Sequence, residues 1–158
     1  MARLAPRFSA NRTVREYTEQ HYLPSAIAYK MRIADKGAIG RKIVDWQQSV
    51  NQKWGSLHFG EMKVATDTER HIFNVEVYLN DLSPSAITVE LYADGINGSA
   101  PVRQEMERVR ELDAMSGSHV YSAAVSAARP PSDYTARVIP HCDGVAVPLE
   151  DARILWQR

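Results

Sequence analysis

The spacing of the apolar residues changes at Gly55, and this change limits the fold more than any other feature of the sequence. Before Gly55, apolar residues recur every three or four positions, as in Ile39, Ile43, Trp46, Val50 and Trp54. This spacing is typical of an amphipathic helix. After Gly55, "HIFNVEVYL" and "AITVELYA" place an apolar residue at every second position, which is typical of strands with one buried face. We therefore predict an α+β chain, with a helical segment at 1–54 and a β-sandwich at 55–158.

Local signals divide the helical segment. The pattern Thr13-Val-Arg-Glu16 is a capping box and predicts that a helix starts there. Pro24 predicts the end of this helix or a kink, because the residue before a proline avoids the helical region. Gly37 and Gly40 interrupt the second stretch. Two alternatives remain open there, one long helix with a weak point or two helices.

The strand region consists of short apolar runs separated by turn residues, which favours an antiparallel sandwich. Further runs are "LHFGEMKV", "HVYSAAVSA", "DYTARVIP" and "GVAVPLEDARILW". "PVRQEMERVREL" has helical spacing, but its place between strands predicts a bent strand or a pair of strands. The string from Asp133 to Val138 is typical of the tyrosine corner of immunoglobulin-like sandwiches. We therefore expect the sandwich at 55–158 to be immunoglobulin-like.

Charge and cysteine content exclude several classes of protein. Residues 1–54 carry ten Lys/Arg and four Asp/Glu, whereas residues 55–158 carry nine and fifteen. The basic residues are scattered among acidic ones, which argues against a nucleic-acid partner. Cys142 is the only cysteine, so disulfides and thiolate metal clusters are not expected. The sequence has no signal-peptide core and no apolar run long enough to cross a bilayer. We expect a cytoplasmic protein with no membrane partner.

Several strings resemble the C-terminal end of bacterial α-glucan (glycogen or maltodextrin) phosphorylases that carry an extra domain after the catalytic fold. The strings are "MARLAPRFSANRTVREYTEQHYLP", "ADKGAIGRKIVDWQQSVNQKWGSLHFGEMKV", "VELYADGINGSAPVRQEMERVREL" and "YTARVIPHCDGVAVPLEDARILWQR". The resemblance implies a parent glycosyltransferase that uses pyridoxal phosphate, held by a lysine, to cleave α-1,4-glucan with phosphate. It also implies that the helix at Arg12–Tyr22 closes the catalytic fold, so that Met1 would be internal to a longer parent or would start a truncated frame.

The resemblance does not carry catalytic residues into this chain. The glycine-rich and lysine-bearing motifs of the family are absent, and the only lysines are Lys30, Lys36, Lys42, Lys53 and Lys63. We therefore predict no catalytic, cofactor-binding or metal-binding residue, and no activity for the chain alone. The expected partners are the catalytic domains of the parent. Apolar helix faces left uncovered would instead favour a homo-oligomer.

An α-glucan is the one ligand for which the residues suggest a site. Tyr78 and Tyr92 lie opposite the apolar rows of their strands, and these faces also carry Asn74, Glu76, Thr88 and Glu90. If the two strands pair, the result is an aromatic platform with hydrogen-bonding groups, which suits sugar rings. The alternatives are a solvated sheet face or a contact with the catalytic domains.

Other motifs are better explained by packing. Gly37 and Gly40 lack the spacing of a phosphate loop. The five histidines are too far apart for a metal motif, and His141 and Cys142 are adjacent on a strand, where neighbours face opposite ways. We expect Trp46 and Trp54 in a core and Trp156 tucked into the sandwich edge. The competing functions are a stand-alone carbohydrate- or protein-binding module and a domain that sets oligomeric state.

Overall fold

The computed structural model describes residues 10–113 and 117–158, and it divides the chain into two compact units, Met1–Asp45 and Trp46–Arg158. Residues 1–9, which carry part of the resemblance, lie outside the described residues. The units divide nine residues before Gly55, where the apolar spacing changes. The predicted division between residues 54 and 55 stays a prediction.

The first element that the structure describes is helix α1, Ala10–Tyr17, followed by a π-helical turn at Thr18–Tyr22. The capping box predicted at Thr13 is wrong, because the chain is already helical from Ala10. Glu16 instead accepts a hydrogen bond from Nε of Arg12 at 2.5 Å. Pro24 does not end the helix. In a regular α-helix, the ring of a proline collides with the carbonyl group of the residue four positions earlier. For Pro24 this earlier residue lies in the π-helical turn, where hydrogen bonds span five residues instead of four, so the helix can continue through Pro24.

Helix α2 spans Leu23–Lys53 and is broken in the middle. Residues Ala34 to Gly37 have non-helical backbone angles, with positive φ values of 50°, 57° and 78° at Asp35, Lys36 and Gly37. The break confirms the two-helix alternative. Positive φ is unfavourable for side chains other than glycine, so Asp35 and Lys36 hold strained positions. Arg41 donates from Nη1 to the carbonyl oxygen of Lys36 at 2.5 Å, which braces the break.

Within residues 46–113 and 117–158, the second unit contains the end of α2 and eight strands. The strands are β1 His58–Thr66, β2 Arg70–Tyr78, β3 Ile87–Ala93, β4 Val102–Glu105, β5 Glu107–Asp113, β6 Ser118–Ser126, β7 Thr135–Pro140 and β8 Leu155–Trp156. The first sheet has the order β1-β2-β6-β5, and the second has the order β4-β3-β7-β8. Every pairing is antiparallel. The predicted α+β chain with an antiparallel sandwich is confirmed.

The apolar faces of β2 and β3 form the centre of the core. Phe73, Val75 and Val77 of β2 are fully buried, and Val89 and Leu91 of β3 are at most 1% exposed. This confirms the alternation read from the sequence.

The last turns of α2 belong to the same core. Val50 is fully buried, and Trp46 donates from its indole nitrogen to the carbonyl oxygen of Ala86 at 3.2 Å. The expected core position of Trp46 is confirmed, and Trp54 packs against the core while staying partly exposed. The sandwich therefore needs residues from Trp46 onward to complete its interior.

The ambiguous segment "PVRQEMERVREL" forms two strands, as predicted. Strand β4 pairs with β3 in the second sheet, and β5 pairs with β6 in the first sheet. Between them lies Met106, which is buried and donates its backbone N–H to the oxygen of Val89 at 2.8 Å. The chain therefore crosses from one sheet to the other at Met106.

The C-terminal run is less regular than predicted. Only Leu155–Trp156 forms a strand in the stretch from Gly144 to Trp156. The buried carboxylate of Asp151 instead accepts bonds from Nη2 and Nε of Arg153, at 2.7 and 2.9 Å. Trp156 does not tuck into the edge of the sandwich, because its side chain lies on the outer face of β8 and is 38% exposed.

Candidate functional site

The residues predicted to contact glucan do not form one platform. Asn74, Glu76 and Tyr78 lie on β2 of the first sheet, whereas Glu90 and Tyr92 lie on β3 of the second. Strands β2 and β3 do not pair, so the platform expected from their pairing is not formed. The structure divides the set between the outer faces of two different sheets.

The outer face of the first sheet contains a stacked pair of rings. His58 of β1 lies opposite Tyr78 of β2, and their ring centroids are 4.5 Å apart with an angle of 4° between the planes. A Cβ atom on Gly60 would come within 2.8 Å of the Tyr78 ring and within 2.7 Å of Glu76. Both side chains therefore lie over the backbone of β1. On this face, one side of the Tyr78 ring is therefore already covered by His58.

The outer face of the second sheet contains a cluster that we call the aromatic clamp, defined as Tyr92, Arg137 and Trp156. The guanidinium carbon of Arg137 lies 4.4 Å from the ring centroid of Tyr92 and 5.1 Å from that of Trp156. The two rings are 5.5 Å apart and nearly perpendicular, at 76°. Both distances to Arg137 fall within the range of cation–π attraction.

A buried ion pair holds the aromatic clamp in place. Glu90 and Arg137 are each 8% exposed and lie opposite each other on β3 and β7. Arg137 donates from Nε to Oε1 of Glu90 at 2.5 Å, and its Nη2 contacts the same oxygen. Charges with little access to water are stable only when paired in this way. Glu90, which we predicted as a sugar contact, is thus engaged in fixing Arg137.

Polar side chains border the aromatic clamp. The Tyr92 hydroxyl donates to Oδ1 of Asp94 at 3.0 Å, and this hydrogen bond raises the pKa of Tyr92. Arg103 and Glu105 lie opposite Tyr92 and Glu90 on β4, and both are exposed. The clamp therefore combines apolar ring surface with donors and acceptors.

A surface cavity of about 620 Å³ adjoins this face where the chain crosses between the sheets. It is lined by Pro84, Ser85, Ile87, Thr88, Val89, Gln104, Glu105, Met106, Glu107, Arg108 and Tyr121. Strand β4 pairs only with Glu90–Ala93, so the first three residues of β3 have no partner in β4. The cavity occupies this gap in the ladder.

Two inward side chains of β6 each bury a polar atom for which the described residues provide no hydrogen-bond partner. The Tyr121 hydroxyl and Nδ1 of His119 find no partner among the residues that the structure describes. Burial raises the pKa of Tyr121 to about 12. Burial also lowers the pKa of His119, against a smaller opposing effect of Glu111. His119 therefore favours its neutral form in the folded protein.

Sequence reasoning missed Arg137 and Trp156. Nothing in the sequence shows that β7 and β8 pair, and this pairing brings Trp156 opposite Arg137. A signal was present for Arg137, because a charged residue between Ala136 and Val138 in an otherwise apolar run must face out of the core or find a partner.

The described residues provide neither a group of metal ligands nor a lysine in a defined pocket. Within residues 10–113 and 117–158, no three His, Cys, Asp or Glu side chains are grouped as metal ligands. Lys30, Lys36, Lys42 and Lys63 are exposed, and Nζ of Lys53 donates to the carbonyl oxygen of Asp81. No lysine lines the cavity. A Schiff-base site needs a lysine in a defined pocket, so the cofactor implied by the resemblance does not fit these residues.

In the described part of the chain, no helix has the length and apolar character needed to cross a membrane.

The fold defines a class of protein, an antiparallel β-sandwich preceded by helices, in which aromatic and polar side chains lie on the sheet faces. Residues 54–158 match the family described as the glycogen phosphorylase C-terminal domain. The chain belongs to this family.

A curated relative extends the similarity beyond the sandwich. The chain is 27% identical over 148 residues to the maltodextrin phosphorylase of Thermococcus litoralis. The match covers 89% of this chain, so it includes most of the helical segment, and it covers 17% of the relative. The chain therefore spans less than a fifth of the relative's length.

Proposed function

We propose that this chain is the non-catalytic C-terminal portion of an α-glucan phosphorylase. The parent would be a pyridoxal-phosphate-dependent glycosyltransferase that cleaves α-1,4-glucan with phosphate and releases glucose 1-phosphate. The family membership and the 17% share of the maltodextrin phosphorylase support this assignment. The catalytic domains would supply the lysine and the cofactor, and this chain would supply closing helices and an accessory sandwich.

The exposed apolar side chains of the helical segment carry this proposal. Nine large apolar residues between Val14 and Val44 are more than half exposed, among them Tyr22 at 67% and Ile27 at 59%. They are Val14, Tyr17, Tyr22, Leu23, Ile27, Tyr29, Met31, Ile33 and Val44. This many large apolar side chains left exposed in one segment favour an interface. We propose that the catalytic domains cover it.

A chimaeric enzyme tests this interface. The matching C-terminal region of the Thermococcus litoralis maltodextrin phosphorylase would be replaced by the full chain, and phosphorolysis would be measured. We expect an active enzyme. Changing Ile27→Asp together with Met31→Asp should lower activity at least about tenfold, since buried anchors dominate interfaces. Lys30→Asp, on the same helix but already polar and exposed, is the matched control and should keep activity.

Two results would contradict the proposed interface. The first is equal activity in the Ile27→Asp/Met31→Asp chimaera and the Lys30→Asp chimaera. The second is full activity of the relative when its matching region is simply deleted.

A separate assay tests catalysis. In it, the chain alone is incubated with pyridoxal phosphate, maltodextrin and phosphate. Glucose 1-phosphate above background would overturn the non-catalytic role.

We further infer an immunoglobulin-like topology and a cytoplasmic location. The strand orders β1-β2-β6-β5 and β4-β3-β7-β8 support the first inference, because immunoglobulin-like sandwiches pair A-B-E-D against a sheet built on C-F-G. A single cysteine in 158 residues supports the second, since disulfides are typical of oxidising compartments.

The alternative is a stand-alone carbohydrate- or protein-binding module, and the sandwich's own core and its exposed aromatic clamp favour it. The coding sequence upstream of Met1 distinguishes the two. An open frame that continues upstream and encodes a lysine-bearing phosphorylase motif supports the enzyme. A promoter and ribosome-binding site directly before Met1 support the module.

A further inference from the structure

We propose that the aromatic clamp and the adjoining cavity form one binding surface for an α-glucan chain. The choice of an α-linked glucan rests on the proposed function. The surface itself rests on the geometry of the second sheet, and it includes Arg137 and Trp156, which sequence reasoning missed.

The side chains of the clamp contact one another in the absence of a ligand. Arg137 is fixed from below by Glu90 and lies against the rings of Tyr92 and Trp156. A fixed aromatic surface binds a sugar ring with little loss of side-chain freedom. Trp156 is 38% exposed and Tyr92 is partly exposed, so both rings offer apolar surface to a ligand.

Strand β3 carries residues of both the clamp and the cavity lining. Thr88, Glu90 and Tyr92 are alternate residues of this strand and share its outer face. Thr88 lines the cavity, and so does Glu105, which lies opposite Glu90. The distance along the strand from Tyr92 to Thr88 is about 13 Å. An extended oligosaccharide can therefore lie on the clamp and reach into the cavity.

The cavity lining suits a neutral ligand rich in hydroxyl groups. Glu105, Glu107 and Arg108 together carry one net negative charge, so an anionic ligand is disfavoured. Ser85, Thr88 and Gln104 add neutral donors and acceptors, and Ile87, Val89 and Met106 add apolar surface. A mixture of apolar walls and a few polar groups is typical of small-molecule sites.

The face of the first sheet is a weaker candidate. The cavity lining includes no residue of β1 or β2, so this face offers no adjoining cavity to a longer ligand. Tyr78 therefore provides a matched control, since it is an outward aromatic residue of the same sandwich on a different sheet.

Titration of the full chain with maltoheptaose, followed by amide NMR shifts, tests the proposal. At millimolar sugar we expect shifts at Thr88, Tyr92, Glu105 and Trp156, and no shifts at His58 and Tyr78. Trp156→Ala should weaken binding at least about tenfold, whereas Tyr78→Ala should leave it unchanged. Glu105→Gln, an exposed change that cannot unfold the core, should weaken binding several-fold.

The controls give each failure a distinct meaning. Equal shifts with cello-oligosaccharide would overturn the assignment of an α-linked glucan, and shifts centred on Tyr78 would overturn the site. Unchanged sugar binding in Trp156→Ala, with lower activity of the chimaera, would identify this face as a contact with the catalytic domains instead. An active chimaera that binds no maltoheptaose defeats this inference and leaves the proposed function standing. An inactive chimaera with intact sugar binding does the reverse.

Discussion

The helical segment and the sandwich have similar shares of apolar residues, but they use them differently. Among the residues that the structure describes between 10 and 45, Ile43 is the one large apolar residue that is buried, and Tyr17, Ile27 and Met31 are each more than half exposed. In the sandwich, Phe73 and Leu91 have no exposure at all. Burial of apolar surface is the main source of stability. The sandwich therefore supplies its own stability, while the helical segment is suited to binding another surface.

The largest expected difference between the two regions is the stability cost of truncating one apolar side chain in each. Phe73→Ala should cost about 3–5 kcal/mol, because it leaves a cavity in a fully buried site. Ile27→Ala should change the stability of the isolated chain by less than about 0.5 kcal/mol, because Ile27 is 59% exposed. Urea unfolding of both variants measures the difference. Equal losses would mean that the helical segment has a core of its own.

Two ion pairs sharpen the comparison for charges. Glu90→Gln should cost about 3 kcal/mol, since it leaves the guanidinium of Arg137 buried without its anion. Glu16→Gln removes the partner of Arg12 from a pair whose side chains are nearly half exposed, and should cost less than about 0.5 kcal/mol. Thermal unfolding in low salt provides the measurement. A cost for Glu90→Gln as small as that for Glu16→Gln would show that water reaches the buried pair.

The buried His119 gives the sandwich a dependence on pH. Its pKa in the folded state lies below the ordinary value of 6.5, mainly because burial disfavours the charged ring. As the pH falls below 6.5, the unfolded chain binds a proton before the folded chain does, so stability decreases. We expect His119→Gln to flatten this decrease in urea titrations between pH 7 and pH 5. His21→Gln, in the exposed π-helical turn, is the control, and the decrease in stability should remain in this variant.

The smallest expected changes in stability come from removing two tyrosine hydroxyls, and the two changes have opposite signs. Tyr121→Phe removes a buried hydroxyl with no partner among the described residues, and should stabilise the chain by up to about 1 kcal/mol. Tyr92→Phe removes the hydrogen bond to Asp94 and should destabilise slightly. Differential calorimetry of both variants distinguishes the signs. A clear loss of stability in Tyr121→Phe would reveal a bond that its hydroxyl makes in solution.

The raised pKa of Tyr121 also predicts that the stability of the folded chain decreases in alkali. Its pKa of about 12 in the folded chain exceeds the ordinary value of 10.0. The unfolded chain therefore loses this proton first as the pH rises above 10, and the folded state becomes less stable. The Tyr121→Phe variant should lack this part of the alkaline loss, which unfolding experiments at pH 9 and pH 11 can measure.

The sequence predicted elements well wherever one local signal dominated. The alternation in β2 and β3 identified their inward residues, and the two glycines after Ala34 marked the break in α2. The start of α1 was predicted wrongly, because the pattern at Thr13 also occurs inside a helix. The run from Gly144 was predicted as strand, but only Leu155–Trp156 pairs in the ladder, and the buried carboxylate of Asp151 bonds locally to Arg153.

The sequence by itself determined which face of each strand is apolar, because side chains alternate along a strand whatever its partners are. It thereby also determined that Tyr78 and Tyr92 face outward. Only the tertiary structure decided which sheet each strand joins, where the chain crosses at Met106, and that Trp156 meets Arg137. Pairing depends on contacts between residues far apart in the chain, and no local spacing encodes them. The candidate site depends on those pairings, and so it became visible only in the folded molecule.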